Sequence, residues 1–395
     1  MKKATLKFVC LVLSALFLLP VLAACGKSDA GDTFVIGGIG PLTGGAAVYG
    51  NAVKKGAQLA VDEINAAGGI NGVKITLYFE DDEHNEEKAV NAYNTLKDKG
   101  VQVILGTVTS KPCIAITSLT KEDNIFQLTP SGSAVDCVKY DNAFRVCFSD
   151  PNQGVGAADY IADKNLASKV AVIYDSSDPY SSGIYDTFKA EASKKNLEVV
   201  TAEAFTSDSK TDFSVQLQKV KESGAELLFL PIYYEEAALI LKQANTAGLK
   251  IKYFGCDGLD GVIDQLGDDV GLAEGTLLLT PFAADAKDEA TQKFTAAYKK
   301  AYNDEVPNQF AADAYDGIYI IKAAMEKADV KDPAISASDL CAKLTAAMTQ
   351  ITVSGVTGEM TWDASGEPTK SPKAMSISVT AGEDGKKTGS YKAVD

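Results

Sequence analysis

The sequence predicts an α/β protein of two lobes, each a doubly wound parallel sheet. Three observations predict it. Strand-like and helix-like periods alternate from Phe34 onward. The alternation breaks at Ser149-Asp150-Pro151 and then restarts. A helix-rich section follows Thr280-Pro281, and the tail turns strand-like again. The 395 residues suffice for two domains of ordinary size, and a hydrophobic share of 46% suits a chain that builds a real core.

In the first half, Phe34-Val35-Ile36 is a buried-strand run. Val53, Ala57, Val61 and Ile64 recur at helical spacing, and Gly68-Gly69 ends that helix. Val73 to Phe79 is a second strand. Ala89, Ala92, Tyr93 and Leu96 mark a second helix. Val101 to Leu105 and Ile125 to Leu128 are further strands. In the second half, Val170–Tyr174, Leu197–Phe205 and Leu227–Leu230 read as strands. Helices near Ser182–Lys195, Phe213–Ser223 and Glu235–Ala247 follow them in turn. Such repetition implies parallel strands covered by helices. Thr291–Tyr302 and Gln309–Lys327 are helical; Met360-Thr361-Trp362 and Met375–Thr380 are strand-like.

The N-terminus reads as an export leader rather than as fold. Lys2, Lys3 and Lys7 precede an apolar run from Phe8 to Leu19, the size of a signal-peptide core and short for a membrane span. Leu22-Ala23-Ala24-Cys25 resembles a bacterial lipobox. The resemblance implies cleavage after residue 24 and lipidation of Cys25. Residues 25–32 form a polar linker, and loss of three lysines takes the formal charge from −15 to −18. Multiple lipid chains on Cys25 anchor a body that has no later membrane-spanning stretch.

Composition narrows the chemistry. A net charge of −15 repels polyphosphates and argues against a nucleic-acid partner. The single histidine, His84, sits in the acidic run Glu80-Asp81-Asp82-Glu83, which reads as a solvated loop. No second histidine completes a metal set or a Ser-His-Asp machine, and EF-hand spacing is absent, so no metal and no cofactor are expected. Cys113, Cys137, Cys147, Cys256 and Cys341 are odd in number, so at least one is free or pairs between molecules. Cys137–Cys147 and Cys113–Cys137 are both possible bridges.

Open parallel sheets bind ligands beyond the carboxyl ends of their strands, which directs attention to the loops there. Gly37 to Gly50 is glycine-rich, but Pro41 spoils a dinucleotide turn. Gly106-Thr107-Val108-Thr109-Ser110-Lys111-Pro112 opens a helix, with Ser110 near its N-cap and Pro112 in its first turn. Such a helix start is a natural carboxylate seat; Ser110 could equally serve only to cap its own helix. Thr129-Pro130-Ser131-Gly132-Ser133 offers hydroxyls and carbonyls. Asp178-Pro179-Tyr180, Tyr233-Tyr234 and Gly255-Cys256-Asp257-Gly258 follow strands of the second run. There Asp257 could receive a cation, although an Asp-Gly turn is the commoner meaning.

Gly40-Pro41-Leu42-Thr43-Gly44 with Tyr49-Gly50, then Gly56 to Gly69, Glu80-Asp81-Asp82, Leu128 to Ser131 and Phe144-Arg145 stand in a familiar order. Asp212-Phe213-Ser214, Gln243-Ala244, Ala247-Gly248-Leu249 and Val356-Thr357-Gly358 continue it. Together these strings resemble the leucine/isoleucine/valine-binding proteins of ABC importers. The resemblance implies a type I periplasmic-binding fold with a hinge of three strands, near Ser149, Thr280 and Gly355. The first lobe would comprise 33–149 plus 282–356, and the second 150–281 plus 357–395. It also implies a binding protein and no enzyme: a monomer that captures a neutral amino acid, branched-chain above all, and delivers it to an ABC permease.

Carried over by position, Ser110 would bind the ligand carboxylate. Ser131, through its carbonyl, and Ser133, through its hydroxyl, would hold the ammonium together with Asp257, where the family usually has glutamate. Tyr49, Tyr180, Tyr233 and Phe310 would frame the side chain. A cysteine bridge that the family often has near the helix-opening serine is replaced by His84 and Thr109. Relatives on this fold take amides, urea or aromatic acids, so a carrier or sensor for such a ligand is the alternative. A hydrolase built on Ser110 or Ser131 lacks both a partnered histidine and a G-x-S-x-G elbow.

Overall fold

The computed structural model describes residues 32–382 and 385–394. The segment read as an export leader, and Cys25, lie outside the described residues. The first lobe begins with β1 (Thr33–Gly40), α1 (Ala47–Ala66), β2 (Lys74–Asp81), α2 (Glu86–Asp98), β3 (Val103–Gly106), α3 (Ser110–Glu122), β4 (Phe126–Thr129) and β5 (Ala143–Arg145). These strands form one parallel sheet in the order β2-β1-β3-β4-β5. β1, β3 and β4 are buried throughout or nearly so, as strands covered on both faces require.

The chain then crosses to the second lobe. There α4 (Asp150–Asp163), β6 (Lys169–Asp175), α5 (Pro179–Lys194), β7 (Glu198–Phe205), α6 (Ser214–Ser223), β8 (Leu227–Leu230), α7 (Tyr234–Thr246), β9 (Lys252–Gly255), α8 (Val262–Leu266) and β10 (Leu277–Thr280) follow one another. The helices α9 (Glu289–Ala301), α10 (Gln309–Lys327) and α11 (Ala337–Met348) return to the first lobe, and α10 lies along α1. Gly56 permits that approach, because a Cβ there would lie 2.0 Å from the Ala311 carbonyl oxygen.

A hairpin of β11 (Thr352–Gly355) and β12 (Gly358–Thr361) precedes the last strands, β13 (Lys373–Ala381) and β14 (Lys387–Ala393). The second sheet has the order β14-β13-β10-β9-β8-β6-β7, and β13 runs antiparallel to its neighbours, so this sheet is mixed rather than purely parallel. Residues 358–370 stay with the first lobe. The Trp362 indole donates to the Arg145 carbonyl at 2.8 Å, and buried Lys370 meets Asp313 at 2.7 Å. The chain therefore re-enters the second sheet at β13, later than the boundary at 357 suggested by the strings near Val356.

Short elements escaped the sequence pattern. β5, β9, β10 and β14 are three to seven residues long or nearly lack alternation, and α11 follows a loop rich in polar residues. All five body cysteines are buried free thiols, so neither bridge considered above is formed. No helix among the described residues is long and apolar enough to cross a membrane.

Candidate functional site

Both sheets reverse their winding direction at one place. In the first lobe this is between β1 and β3; in the second, between β6 and β8. Strand ends at such a switch point splay apart and leave a crevice. The loops leaving these strands are 41–46, 107–109, 176–178 and 231–233, and Ala46, Asp178 and Tyr233 from three of them line one cavity.

The first-lobe wall is the start of α3 with the loop 129–135. Thr109 is the N-cap residue, but its hydroxyl makes no cap bond and instead meets His84 Nδ1 at 2.8 Å. Ser110 thus lies in the first turn. Its oxygen accepts from the backbone N–H of Ser133 at 3.2 Å and of Ala134 at 3.1 Å, which leaves its hydroxyl hydrogen to donate. Ser131 donates its hydroxyl to the Val108 carbonyl at 2.6 Å, so that side chain is a strut. Ser133 is fully buried and its hydroxyl has no hydrogen-bond partner among the described residues.

Arg145 holds this loop in shape. Its guanidinium, wholly buried, donates to the carbonyls of Gly132, Ser133 and Ala134 and pairs with Glu367 at 3.1 Å. With the Val135 carbonyl, which accepts at 3.4 Å, four loop carbonyls are turned toward one cation. The string Phe144-Arg145 thus has a structural duty beside the site.

Asp150, placed only in a crossover by its sequence neighbours, belongs to the site. It is 1% exposed, and neither carboxylate oxygen has a hydrogen-bond partner within 3.5 Å among the described residues. Burial pushes its pKa well above the usual carboxylate range; the Ser133 hydroxyl beside it opposes this, Asp257 adds to it and Arg145 opposes it. The amide nitrogen of Gln153, one turn along α4, has no hydrogen-bond partner among the described residues either. Buried polar groups are nearly always satisfied, so this cluster is exceptional within the molecule.

The second-lobe wall carries the aromatic residues. Tyr180 and Tyr233 stack in parallel with ring centroids 4.8 Å apart. The Tyr180 hydroxyl donates to Asp257 Oδ1 at 2.7 Å and accepts from the Gly258 N–H at 2.9 Å. Gly258 is required there, because a Cβ would lie 2.6 Å from that hydroxyl oxygen. Asp257 also donates its N–H to Gln153 Oε1 at 3.1 Å. Burial raises the Asp257 pKa to about 7, against the lowering effect of Tyr180 and Gln153.

Tyr49 joins the lobes. Its hydroxyl donates to the Gly258 carbonyl and accepts from the Tyr234 N–H at 3.2 Å. Its ring lies 4.2 Å from that of Phe310 and 5.7 Å from that of Tyr233. Gln309 adds a second tie, donating to the Asp257 carbonyl at 2.8 Å. The lobes are therefore closed on each other.

His84 departs from the solvated loop expected of its acidic run. Half-buried, it packs edge-on against Tyr233 at 5.5 Å, and desolvation lowers its pKa to about 4, so the ring is neutral. The acidic strings around it gave no sign of this, because its partners Thr109 and Tyr233 are distant in sequence. Asp150, Gln153 and Gln309 were missed for the same reason. Among the described residues no group of three or more His, Cys, Asp or Glu could hold a metal.

Comparison with known proteins accords with this arrangement. The family model described as periplasmic binding protein matches residues 33–382. A Leu/Ile/Val-binding protein homolog 3 of Brucella melitensis is 34% identical over 300 residues, covering 75% of this chain and 80% of the relative. The leucine-, isoleucine-, valine-, threonine-, and alanine-binding protein of Pseudomonas aeruginosa is 30% identical over 337 residues, covering 84% and 87%. Among solved structures, the branched-chain amino acid transporter substrate-binding protein LivJ of Streptococcus pneumoniae in complex with isoleucine superposes with a TM-score of 0.78. It is 28% identical and covers 92% of this chain and 100% of its own.

Proposed function

This chain belongs to the periplasmic binding protein family, and from that premise we propose that it is the extracytoplasmic solute-binding component of an ABC importer for an α-amino acid, branched-chain ones above all. It performs no bond chemistry. Lipidation at Cys25 would tether it at the outer face of the cytoplasmic membrane, where a monomer hands its ligand to the permease.

One observation carries the amino-acid reading. Within one closed, buried cleft lie an available hydroxyl donor at a helix N-terminus and two buried carboxylates, Asp150 and Asp257, that form no ion pair among the described residues. A zwitterion supplies the missing charge at both ends. Its carboxylate suits the Ser110 hydroxyl and the positive end of α3. Its ammonium suits the Ser133 hydroxyl and the acids Asp150 and Asp257, with Ser131 offering its carbonyl. The rings of Tyr49, Tyr180, Tyr233 and Phe310 surround the remaining space.

Closure follows from differential binding. Ligand held on the first lobe gains the second-lobe groups only when the Tyr49 and Gln309 ties form, so ligand shifts the population toward the closed state. Exclusion of water then strengthens each charged hydrogen bond. Titration calorimetry of the mature chain against leucine, isoleucine, valine, alanine and their amides tests this. Micromolar or tighter binding of an α-amino acid is expected, with the amides much weaker because they lack the carboxylate. Asp150→Asn is expected to weaken binding by about tenfold or more. Absence of heat with every α-amino acid would reject the ligand class.

A further inference from the structure

His84 lies on the first lobe, in the turn between β2 and α2. Its backbone is left-handed, with φ of 57°. Its own lobe pins it twice. Asp82 Oδ1 accepts the His84 backbone N–H at 2.9 Å, and Nδ1 meets the Thr109 hydroxyl at 2.8 Å. The ring itself reaches the second lobe. Tyr233, the residue before α7, packs against it edge-on, with ring planes at 87°. His84, Tyr233 and Lys210 line one cavity of about 180 Å³, to which the first-lobe residues Gly45 and Ala46 also contribute. The imidazole thus spans the boundary that opens and closes.

The charged groups around the ring come from both lobes. On its own turn, Asp81 serves Leu42 and Thr43, Asp82 takes the backbone N–H rather than the ring, and Glu83 pairs with Lys88. On α3, Lys111 pairs with Glu86 at 3.5 Å. On the second lobe, Lys210 pairs with Glu236 at 2.8 Å and Glu235 at 3.5 Å. Asp175 and Asp178 line the cavity and accept from the Ser177 and Tyr180 backbone N–H groups. An imidazolium has two N–H donors to place. Among the described residues Nδ1 alone has a partner, and that partner is a neutral hydroxyl. The closed arrangement therefore fits the neutral ring. Burial first, then Lys210 and Lys111, lower its pKa to about 4.

Opening the lobes withdraws Tyr233 and Lys210 and lets water reach the ring. An exposed histidine titrates near its ordinary value of about 6.5. We propose that His84 is a proton-sensitive latch between the lobes: its neutral ring closes onto Tyr233 when ligand binds, whereas its imidazolium favours the open form, so that acidification releases the ligand. The proposal rests on the amino-acid reading of the cleft and adds its regulation. The closed form holds the ring's proton less tightly than the open one. Binding therefore expels that proton between about pH 4 and about pH 6.5, and affinity rises with pH across the interval. Asp150 and Asp257 push affinity the same way, so the ring has to be observed by itself.

His84 is the chain's single histidine, so one NMR signal reports it directly. The mature chain, untagged and labelled at histidine Cε1, is titrated with acid both free and saturated with the tightest-binding α-amino acid of the calorimetric panel. A midpoint of about 6.5 is expected without ligand and one below about 5 with it. Calorimetry on His84→Asn supplies the second readout, since asparagine tolerates the left-handed backbone there. Between about pH 7.5 and about pH 5 the parent's affinity should fall by about tenfold more than the variant's. Equal midpoints with and without ligand would overturn the latch, whether both are ordinary or both are low. So would the same pH dependence of affinity in parent and variant. In each of those cases the ligand still binds and the amino-acid reading stands; failure of every α-amino acid to bind would overturn that reading and the latch with it.

Discussion

The Tyr180 hydroxyl donates to Asp257 Oδ1 at 2.7 Å from an element 77 residues earlier in the chain. The carboxylate is thereby oriented before any ligand arrives, with one oxygen engaged and one side left for a cation. The same hydroxyl accepts from the Gly258 N–H, so one phenol positions both the acid and the turn that carries it.

Tyr180→Phe should therefore act at two levels. Loss of a hydrogen bond to a charged group, with the Gly258 N–H left unpaired, is expected to cost about 1–3 kcal/mol of stability by denaturant titration. Amino-acid affinity should fall by about fivefold to tenfold, and the pH midpoint of binding should rise because Asp257 loses a bond that favours its ionised form. Unchanged affinity and midpoint would show that Asp257 does not meet the ligand.

The buried acids set opposite pH trends for stability and for binding. Asp178, Asp257, Asp260 and Asp82 are each raised to about 7, chiefly by burial, against an unfolded value near 3.9. Between those values the folded chain binds more protons than the unfolded one. Stability from these groups is thus complete below about pH 4 and is lost as pH rises through about 7. The surface acids Asp81, Asp123 and Asp288 are lowered and act only at the acid end, with the opposite sign. Calorimetric scans should give the ligand-free protein a higher Tm at pH 5 than at pH 8. Binding of an ammonium needs the ionised acids, so affinity should rise over the same interval, as should the increase in Tm that ligand produces.

Lys370 and Asp313 form a buried ion pair at 2.7 Å, with side chains only 2% and 3% exposed, and Lys370 also donates to the Val146 carbonyl. The pair pins residues 358–370 to the first lobe just before the last crossover. Lys370→Met leaves Asp313 buried without its cation and is expected to cost about 3–5 kcal/mol in denaturant unfolding. The double variant Lys370→Met/Asp313→Leu should recover most of that loss, because two apolar side chains of similar volume avoid the desolvation of both ions.

Much of the first site wall was legible in the chain. Ser110 and Ser133 lie on loops that directly follow strands, and a loop after a parallel strand in a doubly wound sheet has a predictable address. Tyr49, Tyr180, Tyr233, Asp257 and Phe310 are likewise brought together within the closed cleft. Asp150 was not legible as a site residue: a Ser-Asp-Pro string announces a helix start, and nothing local reveals that its carboxylate is buried beside Ser133 and Asp257. His84 was misplaced because neighbouring charges suggest solvent, whereas Thr109 and Tyr233 draw the ring inward.

Periodicity and strand-end loops are properties of short windows, and from them the sequence by itself determined two α/β lobes, their winding and the loops that would border a ligand. Which of those loops meet across the lobes, which acids lose water without gaining a cation, and where the last crossover falls were decided only by the tertiary structure. The physical reason is that burial and charge pairing depend on distant partners: Tyr49 on Gly258, Asp313 on Lys370, Asp150 on Asp257.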